Sequence, residues 1–132
     1  MPLTTADRLE ILNLAARYNH AFDSQQSDAW ADTFTPDGIF ESSNGRAVGR
    51  EELRLYNANR EGATTRRHWI DNIVIEGDGD TAQLRCYLWL IDITKGGAPV
   101  TTGAYNDDLT RIDGVWKFTH RRVSRDPCGP RL

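Results

Sequence analysis

The second half of this chain limits the possible folds most. There, four long stretches of strand-forming residues are separated by compact turn signals. The stretches run over 67–76, 81–94, 100–112 and 115–125, and the breaks are Gly77-Asp78-Gly79-Asp80, Lys95-Gly96-Gly97 and Asp113-Gly114. Such breaks are too short for the crossover that a parallel pair needs, so consecutive strands form an antiparallel meander. Leu84, Cys86, Leu88 and Leu90 alternate with Tyr87, Trp89 and Ile91, which makes the second stretch apolar on both sides. One face must therefore hold helices and a pocket. The other is expected to pack on a second subunit, giving a homo-oligomer, dimer or trimer, through the outer sheet face.

The first half supplies the helices. Thr4 or Thr5 can cap a first helix, with Asp7 adding charge to its first turn. Leu9, Leu12 and Ala16 form one stripe, and Ile11, Ala15, Tyr18 and Phe22 a neighbouring one, so the apolar face is broad. This helix should end near Asp23-Ser24. Ser27 then caps a second helix carrying Trp30 and Phe34 four residues apart, stopped by Pro36-Asp37-Gly38. Residues 39–41 and 46–48 bracket Ser42-Ser43-Asn44-Gly45 as a small hairpin, and a third helix over 51–59 buries Leu53 and Tyr56. Three helices followed by a meander make an α+β domain.

At 132 residues the chain reads as one domain, 1–132, with 126–132 an irregular C-terminal tail. Net charge is −3, which argues against a nucleic-acid partner, although Arg121, Arg122, Arg125 and Arg131 cluster late in the chain. No apolar run reaches the length of a membrane span, and Met1-Pro2-Leu3-Thr4 lacks the charged and apolar regions of a signal peptide. Cys86 in a strand and Cys128 in the tail read as reduced thiols, so a cytoplasmic setting is expected. His20, His68 and His120 lack metal-ligand spacing, and neither a nucleophile motif nor a phosphate loop is present, so no cofactor is expected.

The turns also allow a first estimate of the pairing. A four-residue loop over 77–80 sets Glu76 opposite Thr81 and His68 opposite Trp89. A turn centred on Gly96 sets Trp89 opposite Gly103 and Tyr87 opposite Tyr105. The Asp113-Gly114 turn sets Tyr105 opposite Arg122 and Asp107 opposite His120. Alternation then gathers His68, Ile70, Asn72, Tyr87, Trp89, Tyr105, Asp107, His120 and Arg122 on one face, a polar and aromatic set suited to a pocket. Trp89, Tyr87, Tyr105 and Asn72 are its candidate substrate contacts. A single bulge would flip part of the set. If the sheet carries His68 over the end of the first helix, Tyr18, Asp23 and His68 can share one site and move a proton.

The order of motifs resembles the NTF2-like superfamily of cone-shaped domains, in its SnoaL-like branch. The resemblance rests on Ala-Arg-Tyr18-Asn-His-Ala-Phe-Asp23, Trp30-Ala-Asp-Thr-Phe34-Thr-Pro-Asp37-Gly38 and Gly49-Arg-Glu-Glu-Leu53. It continues through Arg67-His68-Trp-Ile-Asp-Asn72, Gly79-Asp80-Thr-Ala82, Gly103-Ala-Tyr105-Asn-Asp107 and Asp113-Gly-Val-Trp116-Lys-Phe118, ending at Arg121-Arg122. The site layout resembles three lyases of that superfamily: scytalone dehydratase, bile-acid 7α-dehydratase and γ-hexachlorocyclohexane dehydrochlorinase. The resemblance implies that Asp23 orients His68, that His68 abstracts a substrate proton, and that Tyr18 and a late-strand arginine assist. That arginine is Arg122, with Arg121 the alternative. A neutral imidazole is a suitable general base near pH 7, and an adjacent carboxylate fixes its tautomer. The expected activity is a cofactor-independent lyase or isomerase acting on a small hydrophobic, cyclic molecule. The alternative is a non-catalytic binding or partner protein with the same cup.

Overall fold

The structure, a computed structural model, describes residues 1–127; Cys128, Arg131 and most of the expected tail lie outside the described residues. Helix α1 (Thr5–Asp23) starts at a capping box: Thr4 Oγ1 accepts from the Asp7 amide at 3.0 Å and Asp7 accepts from the Thr4 amide at 2.9 Å. Asp7 also accepts from Arg111 at 2.9 Å and from the Trp116 indole at 3.1 Å, which pins the helix start to the far end of the sheet. That anchor sets where the other end of the helix, at Asp23, falls.

Helix α2 (Ser27–Ala31) is one turn shorter than its sequence suggests, and Phe34 opens strand β1 (Phe34–Ser42) instead of closing the helix. Thr33 ends the helix by donating to the Trp30 carbonyl at 2.7 Å, and the Phe118 amide binds the Thr33 carbonyl at 2.9 Å. These bonds dock the chain on the sheet before Pro36 is reached. Pro36 has no N–H to give the ladder, and the register shifts between Phe34 and Ile39. Strand β2 (Gly45–Val48) completes the hairpin, and helix α3 (Arg50–Ala58) follows.

The remaining strands are β3 (Arg66–Asp78), β4 (Thr81–Asp92), β5 (Ala98–Ile112) and β6 (Val115–Arg125). They form the expected meander, but the sheet has six strands in the order β2-β1-β6-β5-β4-β3, joined by a parallel β1–β6 pair. The long connection through the hairpin and α3 makes that parallel pair possible. The helices cover the concave face, where Ile11, Tyr18, Phe22, Trp30, Phe34, Leu53, Leu84, Leu109, Trp116 and Phe118 form the core. No helix of the described residues is long and apolar enough to cross a membrane.

Three irregularities decide which side chains face inward. Asp78 pairs with Thr81 across the two-residue turn Gly79-Asp80, and a bulge follows between Asp71 and Val74, where Asn72 has φ 51°. His68 consequently faces Leu90, and Trp69 faces Trp89. In the next pair Leu88 faces Gly103 and Cys86 faces Tyr105, one residue from the simple estimate. The Asp113-Gly114 turn gives the expected register from Ile112–Val115 as far as Leu109–Phe118. A bulge at Thr119 then shifts it, so Asp107 faces Arg121 and Tyr105 faces Val123. The inner face is therefore Leu84, Cys86 and Leu88 with Tyr105, Asp107, Arg121 and Val123, while Tyr87, Trp89, His120 and Arg122 turn outward.

Candidate active site

The site is built around the C-terminal end of α1, which three side chains hold in place. Asn57, fully buried in α3, donates to the Phe22 carbonyl at 3.2 Å and accepts from Ser27 Oγ at 2.8 Å. Gln25 adopts a left-handed conformation, φ 57°, which aims its amide at the carbonyls of Asn57, Ala58 and Arg60 at 3.0–3.2 Å. Arg60 closes the clamp: Nη1 donates to the Phe22 carbonyl at 2.9 Å and its guanidinium lies 3.7 Å over the Phe22 ring. Asp23, the last residue of α1, is thus fixed in space before any contact with the sheet.

His68 arrives from β3. Its backbone N–H donates to Asp23 Oδ2 at 2.9 Å, and its ring Nδ1 lies 2.5 Å from Asp23 Oδ1. A carboxylate only accepts, so the hydrogen sits on Nδ1, and in the neutral ring the lone pair belongs to Nε2. Among the described residues Nε2 has no hydrogen-bond partner. The Phe22 ring meets the imidazole edge-on at 5.2 Å between centroids. With both carboxylate oxygens committed to one residue, the ring has a defined orientation as well as a defined tautomer.

His68 lines a cavity of about 440 Å³. The inner wall is Tyr18, Phe22, Phe40, Tyr56, Leu88, Leu90 and Tyr105, and the mouth carries Arg60, Glu61, Arg66 and Arg125. A second hollow of about 580 Å³ shares His68 and Arg66 with the first and is otherwise lined by Asp23, His20, Arg67 and Trp69. His68 therefore forms part of the wall of both, and Asp23 part of the second alone. Among the described residues no three histidine, cysteine, aspartate or glutamate side chains converge as metal ligands.

Behind the inner wall lies a buried ion pair. Arg121 Nε is 3.1 Å from Asp107 Oδ1, and the guanidinium stacks on Tyr105, Tyr18 and Phe118 at 3.6, 4.2 and 4.6 Å. Burial pushes the Asp107 carboxyl up to about 7 despite the arginine beside it. Burial likewise raises the Tyr18 and Tyr105 phenols well above their ordinary value, so both remain neutral donors. Cys86 is a free, buried thiol pushed up to about 11 by burial, which leaves it no nucleophilic character near neutrality.

The sequence-derived candidates divide clearly. Asp23 and His68 touch; Tyr18 and Tyr105 line the cavity. Trp89 and Tyr87 do not: they are 43% and 61% exposed on the outer face, because the β4–β5 register differs by one residue. Asn72 is exposed at the β3 bulge. Arg122 is outside too, 3.0 Å from Asp108 and 3.3 Å from His120 Nδ1, and the bulge at Thr119 is the cause. Arg121 faces inward in its place, but it is sealed behind aromatic rings and does not line the cavity. Lining residues missed from the sequence include Phe40, Tyr56, Leu88, Leu90, Arg60 and Arg66. Arg60 follows α3 in a loop, where no periodic pattern marks it.

A curved sheet closed by helices over a cavity is the architecture of the cone-shaped α+β domains called NTF2-like or cystatin-like. Within that class the chain belongs to the SnoaL-like domain family, whose pattern matches residues 4–122. A Nostoc punctiforme protein of unknown function with a cystatin-like fold is 32% identical, with TM-score 0.89 and 98% of each chain covered. A Catenulispora acidiphila protein solved in complex with S-DNPA is 27% identical, with TM-score 0.82, covering 93% of this chain and 96% of that one. A candidate scytalone dehydratase from Novosphingobium aromaticivorans is 21% identical, with TM-score 0.76, covering 92% and 85%; at that identity the likeness concerns the fold alone. No curated protein matches the chain.

Proposed function

We propose that this protein is a cofactor-independent lyase or isomerase that uses His68 as general base and Asp23 as its orienting partner on a small hydrophobic, cyclic substrate. The observation that carries this reading is the doubly held carboxylate of Asp23, which leaves His68 Nε2 unpartnered in the wall of an aromatic cavity. In the proposed reaction Nε2 takes a proton from a carbon next to a carbonyl or other activating group. Asp23 stabilises the imidazolium that results. The carbanion then expels a β-leaving group, in which case His68 can return the proton to it, or is reprotonated at another carbon. Tyr18 or Tyr105, kept neutral by burial, is suited to donate a hydrogen bond to oxygen at the inner end. Membership of a family that includes polyketide cyclases and dehydratases supports the reaction class.

The test is a panel of cyclic β-hydroxy ketones and halocarbons, followed by the absorbance of the conjugated product, alongside mass spectrometry of any molecule that copurifies. Elimination from one panel member supports the lyase reading. A copurified cyclic molecule returned unchanged, with no turnover of any substrate, would favour the binding-protein alternative.

We also infer a homo-oligomer through the outer sheet face. Trp69, Tyr87 and Trp89 are all more than two-fifths exposed there, and Trp69 meets Trp89 edge-on at 6.1 Å. Light scattering should give a dimer or trimer, and Trp89→Lys should shift it toward monomer; a wild-type monomer at micromolar concentration contradicts the inference.

A further inference from the structure

The cavity has a charge pattern that the proton-transfer scheme does not use. Its inner wall is aromatic and aliphatic, whereas its mouth holds three guanidinium groups, Arg60, Arg66 and Arg125, against one carboxylate, Glu61. In a chain of net charge −3, this is a local reversal of sign. Among the described residues none of the three arginines forms an ion pair, whereas Arg46, Arg50, Arg54, Arg85, Arg111, Arg121 and Arg122 each meet a carboxylate. The other nearby carboxylates are committed elsewhere: Asp23 to His68, and Asp92 to the amide and hydroxyl of Thr94.

Arg60 is also held ready. Stacked on Phe22 and bonded to the Phe22 carbonyl through Nη1, it spends one arm on the scaffold and keeps the rest of its fork. Burial disfavours the Arg60 cation, the Asp23 carboxylate offsets part of that, and the charge of Arg66 acts weakly against it. Two cations close together, whose neighbouring carboxylates are already hydrogen-bonded to other groups, are relieved by an anion between them. Arg125 reaches the same mouth from β6, with Nε directed to Thr101 Oγ1 at 3.4 Å.

We infer that the substrate is a carboxylic acid: a cyclic, apolar body that fills the inner cavity, with a carboxylate held at the mouth between Arg60 and Arg66. This deepens the reading of the cavity as a substrate site. A carboxylate anchored there fixes the body relative to His68, and the positive mouth also favours negative charge developing on the substrate as the proton leaves.

Binding, measured without turnover, separates this inference from the lyase reading. Isothermal titration would compare 2-naphthoate, indole-3-acetate and cyclohexylacetate, each against its primary amide, in low and high salt. At least one acid should bind about tenfold more tightly than its amide, an advantage that shrinks with salt. Arg66→Gln should remove most of that advantage, weakening the acid far more than its amide. Arg60→Lys, which retains charge but loses the fork, should remove part of it, with thermal unfolding used to verify the fold. Arg67→Gln, on the other hollow, should change nothing. The inference is overturned if no acid outbinds its amide, or if the preference survives Arg66→Gln and Arg60→Lys together. An acid preference with no elimination from any substrate would sink the lyase reading and leave this one standing.

Discussion

Two histidine–carboxylate pairs of almost equal length stand on opposite faces of one sheet. His68 Nδ1 meets Asp23 at 2.5 Å on the inner face, and His120 Nε2 meets Glu41 at 2.6 Å on the outer face. Distance does not distinguish them; the surroundings do. Asp23 gives its second oxygen to the His68 amide, so ring and backbone are gripped together. Glu41 is 40% exposed and shares its charge with Arg46 at 4.0 Å. The second nitrogen differs as well. That of His120 accepts from Arg122 at 3.3 Å, whereas that of His68 is unpartnered beside a cavity. A base needs a free lone pair, and only the inner pair combines an unpartnered ring nitrogen beside a cavity with a fixed tautomer.

The largest effect is expected at His68. His68→Gln should lower the elimination rate about a thousandfold, the scale of a lost general base, measured as kcat/KM on any active panel substrate. A smaller loss is expected from Asp23→Asn. It keeps an acceptor for the His68 amide but no longer stabilises the imidazolium, so kcat should fall about tenfold to a hundredfold with little change in KM. A fall in KM-dependent terms alone would assign Asp23 to structure.

A third measurement asks whether the inner side of the sheet is as poorly solvated as the contrast requires. Burial raises the Asp107 carboxyl from an ordinary 3.8 to about 7, so between those values the folded state keeps a proton that the unfolded chain releases. Its contribution is complete below about pH 4 and is lost as pH rises to about 7. Urea unfolding should show wild type losing stability across that window relative to Asp107→Asn; parallel curves would mean that Asp107 is well solvated. The smallest effect belongs to the outer pair: His120→Gln should leave kcat/KM within about twofold of wild type, as expected of a surface pair.

Much of this was legible in the sequence. Capping residues and turn signals placed α1, the hairpin and the meander, because they act over a few residues. Asp23 and His68 are paired through the resemblance to the NTF2-like lyases, and topology alone gives only the condition that the sheet bring His68 over the end of the first helix. Tyr87, Trp89 and Arg122 lie farther along strands, where one unseen bulge or a shorter turn moves every later side chain to the opposite face. The bulges at Asn72 and Thr119 insert one extra residue each and bend their strands, and alternation of apolar and polar residues does not mark them. Phe34 was misplaced for a similar reason: its spacing from Trp30 suits a helix, but docking on β6 draws it into a strand. Arg60 depended on the Gln25 and Asn57 clamp, which is entirely tertiary.

The central claim is that His68, and not His120, removes a carbon-bound proton. Deuterium uptake from heavy water into the reactive carbon of a panel ketone measures that step without requiring elimination to follow. Wild type and His120→Gln should exchange at the same rate, and His68→Gln should fall to the buffer background. Exchange that persists in His68→Gln, or that disappears in His120→Gln, would contradict the account.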